Sequence, residues 1–269
     1  MPQDVPPDVA HALERVAARV RDFGCRIHWL DETTSTNDVA AHLAERGAPE
    51  GTVVAAESQT AGRGRMGRAW CSPPGAGLYV SVVLRPAGGM SSHRNPASLL
   101  TLASGVAIVE GVRTVTGLPA EIKWPNDVVI GKRKLAGILA ESTAQGGVVH
   151  HVVLGFGVNL QPAAYPPDVA RRATSIEAES GRAADRAQLL AEILAALSGR
   201  YADLQAGRFD AILTAWRRLA PSLPSSIVEW DSPDGLRRGR AEDIDTDGAL
   251  LVRVGDRVER LIAGEVRWI

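Results

Sequence analysis

The sequence predicts an α/β protein with a small β-rich unit at its C-terminal end. Up to about residue 222, segments with apolar residues at helical spacing alternate with short β-type runs. From about residue 225 only short β-type runs occur, separated by turn sequences. A chain of 269 residues has room for one large domain and a small one. We therefore predict a main domain over residues 1–222 and a small domain over residues 223–269.

In the first half of the chain, periodicity and turn residues predict the elements. The predicted helices cover residues 8–23, residues 97–116, and a segment from the capping-box pattern of Ser35 and Asp38 to about Gly47. The predicted strands cover residues 26–30, 52–57, 78–85 and 121–124, the last of them ended by Pro125. Residues 59–77 are rich in glycine, arginine and proline, which predicts a loop.

In the second half, two strands over residues 133–142 and 148–160 are predicted to pair through a turn at Gly146-Gly147. Helices are predicted over residues 185–205 and 208–219. The β-type runs that follow are separated by Pro233-Asp234-Gly235, Asp247-Gly248 and Gly255-Asp256. They are typical of a small all-β barrel of about forty-five residues. Such a barrel is below the usual size for independent stability, so we expect it to pack on the main domain.

Composition and charge exclude several classes of protein. Hydrophobic residues make up 45% of the chain and charged residues 23%, which excludes a disordered chain. The net charge of -1 supplies no global field for nucleic acid or an acidic membrane. We expect no signal peptide, because no basic segment precedes an apolar run at the start of the chain. We expect no membrane span, because no stretch of eighteen apolar residues occurs.

The sequence contains only two cysteines, Cys25 and Cys71. Two cysteines are too few for a disulfide framework or a cysteine zinc cluster. One of them could be a nucleophile, but two incidental thiols in a reducing compartment are the favoured interpretation. We therefore expect a cytoplasmic protein.

The most informative stretch is QTAGRGRMGRAW, from Gln59 to Trp70, which we call the Gly/Arg loop. Glycine lets the backbone approach a ligand closely, and arginine supplies forked donors for phosphate or carboxylate. The pattern therefore favours an anion-binding loop. It lacks the lysine of the nucleoside-triphosphatase phosphate loop and the spacing of a dinucleotide-binding loop. A solvated basic loop and a nucleic-acid patch are the alternatives, and the charge balance disfavours the patch.

Three further stretches carry weaker signals. Lys123–Asp127 places a lysine, an amide and a carboxylate at a strand end, although Pro-Asn-Asp is also ordinary turn chemistry. Lys134 opens an apolar strand, where it is either a solvated end or a charge pointing into a pocket. Gly155–Asn159 contains glycines within a strand, which indicates close approach of another backbone or a ligand, or else a structural bulge. The adjacent His150 and His151 point to opposite faces of a strand and cannot share a metal.

Together and in this order, these stretches resemble the biotin protein ligase family (biotin–[acetyl-CoA-carboxylase] ligase) over about residues 27–269. The resemblance includes Ser35-Thr36-Asn37 and the end of the small C-terminal barrel, Ala263-Gly264-Glu265-Val266. It implies a mixed, largely antiparallel sheet backed by helices, with a small C-terminal SH3-like barrel. Too little chain precedes Ser35 for the winged-helix domain of some members, so the resemblance is to the monofunctional kind without DNA binding. Met66 stands where some members carry another arginine, which makes the loop less basic.

The resemblance implies a role for each matching residue. Catalytic roles fall to Lys134 and Arg65. Biotin would contact Ser35, Thr36, Asn37, Gln59, Arg63, Gly64, Arg65 and Lys134. ATP or the adenylate would contact Arg68, Trp70, Lys123, Asn126, Asp127 and Asn159, with Trp70 stacked on adenine. No metal ligands are assigned.

The implied reaction uses biotin, ATP and Mg²⁺. The biotin carboxylate attacks the α-phosphorus of ATP and displaces pyrophosphate, and cations offset the repulsion between the two anions. A lysine of a biotin carboxyl carrier protein domain, of acetyl-CoA carboxylase or a related biotin enzyme, then attacks the activated carbonyl and AMP leaves. A lipoate or octanoate protein ligase is the nearest alternative, and a non-catalytic binder is a more distant one. No nucleic-acid or membrane partner is expected, and a homodimer through a strand edge is an open possibility.

Overall fold

The computed structural model describes residues 4–24, 26–87, 96–145, 148–163, 165, 167–233, 235–262, 264 and 266–269. Its main feature is a seven-stranded sheet with the order β1-β2-β3-β7-β6-β5-β4. The strands are β1 Ile27–Thr33, β2 Val53–Gln59, β3 Gly77–Leu84, β4 Glu121–Lys123, β5 Asp127–Ile130, β6 Arg133–Gln145 and β7 Val148–Asn159. Only β1 and β2 run parallel, and every other pair is antiparallel. The predicted mixed, largely antiparallel sheet is confirmed.

Helices cover both faces of this sheet. They are α1 Pro7–Arg15, α2 Ala17–Val20, α3 Thr36–Glu45, α4 Pro96–Thr116, α5 Pro167–Ala170, α6 Ile176–Ser180, α7 Arg186–Gln205 and α8 Phe209–Leu219. On one face α4 and α7 pack together and bury the large core. On the other face α3 covers a small cluster in which Ala40 and Ala44 contact Val54, Val83 and Val153. The face that carries α3 also carries the candidate site.

Among the described residues, one helix, α4, is long and apolar enough to cross a membrane. Two-thirds of its most apolar window is buried inside the protein. Leu99, Leu100 and Ile108 of this helix are completely buried in the core. Packing against the sheet and α7 therefore accounts for its apolar composition.

The C-terminal segment forms a second, five-stranded antiparallel sheet with the order β11-β10-β9-β8-β12. Its strands are β8 Ile227–Ser232, β9 Gly235–Ile244, β10 Leu250–Val254, β11 Arg257–Leu261 and β12 Val266–Trp268. Within the described part of the chain, β11 and β12 do not pair, so we describe a sheet and not a closed barrel. Asp234, Ala263 and Glu265, which belong to two of the predicted motifs, lie outside the described residues.

The second sheet packs on the main domain. Trp124 Nε1 donates to the carbonyl of Gly248 at 3.0 Å, and Trp268 Nε1 donates to the carbonyl of Trp124 at 3.3 Å. Val228 and Leu250 are completely buried in the same core as the main sheet. The predicted boundary between residues 222 and 223 falls between α8 and β8 and stays a prediction about domain division.

The structure departs from the sequence-based elements in a few places. The predicted first helix is interrupted at Val16, whose φ of -111° and ψ of 10° are not helical. Ser35 is the N-cap of α3 but makes no capping hydrogen bond, so the predicted capping box is wrong. Strand β5 and the short helices α5 and α6 were not predicted, because runs of four or five residues carry little periodicity. Cys25 and the predicted turn at Gly146-Gly147 lie outside the described residues.

Candidate active site

A cavity of about 350 Å³ opens on the α3 face of the seven-stranded sheet. It lies where the start of α3, the Gly/Arg loop, β4–β7 and the last strand of the C-terminal sheet meet. The predicted site residues that line it are Ser35, Thr36, Asn37, Gln59, Arg63, Gly64, Arg65, Arg68, Trp70, Lys123, Asn126, Asp127 and Lys134. Residues as far apart in sequence as Ser35 and Trp268 are thus brought into a single concave site.

Neutral polar side chains at the cavity form a hydrogen-bonded group, which we call the polar row. Gln59, Thr36 and Asn37 line the cavity, and Ser81 is buried behind them. Gln59 Oε1 accepts the backbone N–H of Thr36 at 2.8 Å and its hydroxyl at 3.1 Å. The completely buried Ser81 hydroxyl is bonded to Thr36 Oγ1 at 2.8 Å and donates to Asn37 Oδ1 at 2.6 Å. Gln59, in place of the expected Ser35 side chain, therefore satisfies the first N–H of α3.

Glycines form the floor of the cavity. A Cβ at Gly155 would lie 2.1 Å from Asn37 Oδ1, so Asn37 rests directly on the β7 backbone. A Cβ at Gly157 would lie 2.4 Å from Trp70 Nε1, and one at Gly137 would lie 2.9 Å from the same ring. Gly137 and Gly157 are cross-strand partners in the β6–β7 ladder. The glycine signal in these strands therefore marks close approach of side chains and not a simple bulge.

The Gly/Arg loop folds back on itself above this floor. Trp70 N–H donates to the carbonyl of Gly62 at 2.8 Å, and Gly64 N–H donates to the carbonyl of Arg68 at 2.6 Å. A Cβ at Gly62 would lie 2.5 Å from the Trp70 carbonyl oxygen, so this crossing requires glycine. Met66, at the tip, has a φ of +57° and is 70% exposed. The loop thus presents a strained, solvent-facing apolar residue between its arginines.

Two loop arginines are held by different parts of the site. The guanidinium of Arg63 contacts Asp38 Oδ1 and Glu141 Oε2, each at 2.8 Å. Arg65 donates weakly to Asn126 Oδ1 at 3.4 Å. Burial lowers the pKa of Arg65 from its ordinary value, with Asp127 opposing that effect. Arg65 is therefore a partly desolvated cation whose hydrogen-bonding capacity is not satisfied by Asn126 alone.

Two lysines add positive charge to the lining of the cavity. Lys134 Nζ lies 2.6 Å from Asp127 Oδ1 and 5.2 Å from the centre of the Trp70 ring. Lys123 Nζ lies 5.9 Å from the centre of the Trp268 ring. Burial lowers the pKa of Lys123, and the charge of Asp127 opposes this. Among the described residues that line the cavity, Asp127 is the one carboxylate, so the positive charges outnumber it.

Asn159 is the one predicted site residue that does not line the cavity. It is buried, and its side-chain amide donates to the carbonyls of Thr174 at 2.9 Å and Lys134 at 3.4 Å. The backbone of Lys134 also bonds to this segment, donating to Arg172 at 2.6 Å and accepting from Thr174 at 2.9 Å. Asn159 therefore connects the segment around residue 173 to the start of β6 by hydrogen bonds and does not itself reach the cavity.

Sequence reasoning missed several residues at the site. Ser81 and Glu141 sit within the apolar strands β3 and β6, where no sequence motif marks them as site residues. Arg172 and Trp268 line the cavity, although they lie in segments with no recognisable site motif. Only the fold, which places β12 beside Lys123, could reveal the contribution of Trp268.

The described residues contain no group of three or more histidine, cysteine, aspartate or glutamate side chains able to hold a metal ion. His150 is exposed and His151 is buried, as expected for adjacent residues of one strand. Cys71 is exposed and unpaired by any disulfide in the described chain. No histidine or cysteine is among the described residues that line the cavity.

Two sequence families match this chain. Residues 29–159 match the biotin/lipoate A/B protein ligase family, and residues 232–267 match the biotin protein ligase C-terminal domain. The first match covers most of the main sheet and the predicted site. The second covers most of the C-terminal sheet.

Individual proteins are similar over longer spans. The chain is 36% identical over 235 residues to the biotin–[acetyl-CoA-carboxylase] ligase of Paracoccus denitrificans, covering 83% of this chain and 92% of that one. It is 33% identical over 263 residues to the bifunctional ligase/repressor BirA of Bacillus subtilis, covering 97% and 79%. The structure of the biotin protein ligase of Aquifex aeolicus in complex with biotin and ATP superposes with a TM-score of 0.78 at 26% identity, covering 91% of this chain and 99% of that one.

Proposed function

This chain belongs to the biotin protein ligase family, and from that premise we propose that it activates biotin with ATP and transfers the biotinyl group to a lysine of a carrier-protein domain. One observation of the site carries the proposal. Neutral polar side chains and a cluster of cations line one cavity, above a floor of glycines. Biotin and ATP need these two environments side by side.

The polar row suits the ureido ring of biotin. This ring presents two N–H donors and one carbonyl acceptor, and a site that buries them must satisfy them. Thr36, Asn37 and Gln59 supply neutral donors and acceptors there, and none of them brings a charge that would need its own partner. The glycine floor lets Asn37 and Trp70 lie close to the sheet, which keeps space in the cavity for a flat ring. The biotin carboxylate would then point toward Lys134.

The cations that line the cavity suit the triphosphate of ATP. The carboxylate oxygen of biotin forms a bond to the α-phosphorus, and the bond from that phosphorus to the bridging oxygen breaks to release pyrophosphate. Lys134 and Arg65 line the cavity, and their charges would offset the repulsion between these anions. Lys123 and Arg68 also line the cavity and would offset the charge of the departing pyrophosphate. Trp70 offers a ring face to adenine.

The residues present fit a Mg²⁺ ion bound mainly through the nucleotide. Mg²⁺ in such sites uses one or two protein carboxylates together with substrate phosphates and water. Asp127 is the carboxylate that would hold it. When bound, the ion would neutralise part of the phosphate charge.

The second half of the reaction needs positioning and no protein nucleophile. A neutral lysine amine of the acceptor forms an amide bond with the activated carbonyl, its proton is lost, and AMP leaves with the electrons of the broken acyl–phosphate bond. The Gly/Arg loop lies over the cavity and would shield the adenylate from water until the acceptor arrives. We propose a biotin carboxyl carrier protein domain as the acceptor, which the name of the Paracoccus relative supports.

A lipoate or octanoate protein ligase is the rival, since the match over residues 29–159 includes lipoate ligases. The match of residues 232–267 to the biotin protein ligase C-terminal domain favours biotin. A cytoplasmic location, the lack of nucleic-acid and membrane partners, and a homodimer stay predictions.

The deciding experiment offers Mg-ATP with biotin, lipoate or octanoate in separate reactions. Pyrophosphate release is measured, and mass spectrometry identifies the acyl-adenylate. We expect an adenylate with biotin only. An adenylate with lipoate or octanoate would assign the chain to the rival activity. Biotin binding without any adenylate would indicate a binding protein.

A further inference from the structure

One carboxylate, Glu141 on β6, joins the polar row to the Gly/Arg loop. Its Oε2 accepts from Asn37 Nδ2 at 2.6 Å and from the guanidinium of Arg63 at 2.8 Å. Asn37 belongs to α3, and Arg63 belongs to the loop. A single oxygen atom therefore contacts two segments that the proposed reaction uses for different purposes.

Glu141 determines which way the Asn37 amide points. A carboxylate only accepts hydrogen bonds, so it selects the NH₂ side of the amide, while the Ser81 hydroxyl donates to Asn37 Oδ1 on the other side. Asn37 is 5% exposed and rests against the backbone of Gly155, so its amide has little room to rotate. The orientation of this amide is thus determined by Glu141 and Ser81 together.

The ion pair between Glu141 and Arg63 is weaker than the hydrogen bond between Glu141 and Asn37. The side chains of Arg63, Asp38 and Glu141 are each nearly half exposed. Exposed ion pairs contribute little because water screens them, whereas Glu141 is the hydrogen-bond acceptor for the amide of Asn37, which is buried. Asp38 also holds Arg63, so the loop keeps one carboxylate when the other is lost. Loss of Glu141 should therefore affect Asn37 more than the loop.

We propose that Glu141 is a positioning residue, which orients Asn37 for the ligand ring and, with Asp38, seats Arg63 so that the loop lies over the cavity. This inference rests on the proposed function, in which Asn37 contacts biotin. Glu141 itself does not line the cavity and touches no reacting atom.

Three variants separate the two contacts. Glu141→Ala removes both. Glu141→Gln keeps an oxygen that can accept from Asn37 but removes the charge that pairs with Arg63. Asp38→Asn is the matched control, because Asp38 contacts Arg63 and not Asn37. Circular dichroism melting first establishes that each variant is folded.

The first readout is the KM of pyrophosphate release for biotin and for ATP. We expect Glu141→Ala to raise the KM for biotin roughly tenfold with little change in the KM for ATP. Glu141→Gln should stay within roughly threefold of wild type, and Asp38→Asn should raise the KM for biotin less than Glu141→Ala does, because it leaves the contact with Asn37 intact. Equal increases in both KM values for Glu141→Ala would indicate a general structural defect and overturn the inference.

The second readout does not depend on activity. Arg63, Arg65 and Arg68 are trypsin sites within the loop, so limited proteolysis of the ligand-free protein reports how firmly the loop is seated. Cleavage there should be faster in all three variants, and fastest in Glu141→Ala. Wild-type cleavage rates together with a wild-type KM for biotin would show that Glu141 positions nothing. If the wild-type protein forms no adenylate with biotin, the proposed function fails, while biotin calorimetry and proteolysis still test Glu141.

Discussion

Lys134 Nζ lies 2.6 Å from Asp127 Oδ1, so the central cation of the cavity is paired with a carboxylate before any substrate anion arrives. The same ammonium group lies beside the ring of Trp70. An arriving phosphate or carboxylate would compete with Asp127 for this charge. The ion pair holds Lys134 at the cavity. Binding of an anion to Lys134 must weaken this pair, and the larger negative charge of a triphosphate can offset that loss.

The first prediction follows from this pair. Lys134→Ala should lower the rate of adenylate formation by roughly 10²–10³, because a cation that faces two reacting anions is lost and Asp127 is left as an uncompensated negative charge. Single-turnover pyrophosphate release measures the effect. Lys132→Ala is the control, since Lys132 is exposed and does not line the cavity. A normal burst in Lys134→Ala would remove Lys134 from the mechanism.

The second prediction concerns Trp70. Trp70→Ala should raise the KM for ATP roughly tenfold and the KM for biotin less, because stacking of a base on an aromatic ring is lost. Trp70→Phe should recover most of the affinity for ATP. The initial rates of pyrophosphate release at varied ATP and biotin give both constants. If both constants rise equally, Trp70 acts by shaping the loop above Gly137 and Gly157.

The third prediction concerns the glycine floor. Gly155→Ala should raise the KM for biotin roughly five- to tenfold, because its Cβ would meet Asn37 Oδ1 at 2.1 Å and displace the amide from Ser81 and Glu141. Gly199→Ala is the matched control, since nothing lies within 4 Å of a Cβ there. That variant should keep both KM values and gain slightly in helix stability. A wild-type KM for biotin in Gly155→Ala would argue against Asn37 as a biotin contact.

The fourth prediction is a pH dependence of stability. Burial lowers the pKa of His151 below its ordinary value of 6.5, with the charge of Arg85 adding to the effect. The unfolded chain therefore binds more protons than the folded one between the lowered pKa and 6.5. The contribution of His151 to the free energy of unfolding is therefore complete above pH 6.5 and is lost as the pH falls toward the lowered pKa. The slope contributed is at most about 1.4 kcal/mol per pH unit.

Urea unfolding between pH 8 and pH 5 tests this prediction. His151→Leu should flatten the slope of the unfolding free energy against pH. The same substitution at the exposed neighbour His150 should leave the slope unchanged. An equal slope in wild type and His151→Leu would mean that the acid sensitivity arises elsewhere.

Long elements and the site motifs could be predicted from the sequence. The spacing of apolar residues along α4 and α7 extends over about twenty residues each, which is enough to define a helix. Strand β5 could not be predicted, because its four residues follow a turn sequence and depend on pairing with β4 and β6. Asn159 matched the family pattern, yet its amide bonds to two carbonyls outside the cavity.

The sequence by itself determined the chemistry of the site, because the glycines, arginines and lysines of the matching motifs carry their donors and charges wherever they lie. It also determined the sheet and helix segments that are long enough to show a period. Only the tertiary structure decided that Gln59, and not Ser35, satisfies the start of α3, that Trp70 rests on Gly157, and that Glu141 joins Asn37 to Arg63. These contacts join residues far apart in sequence, and their distances exist only once the strands have paired and the helices have packed.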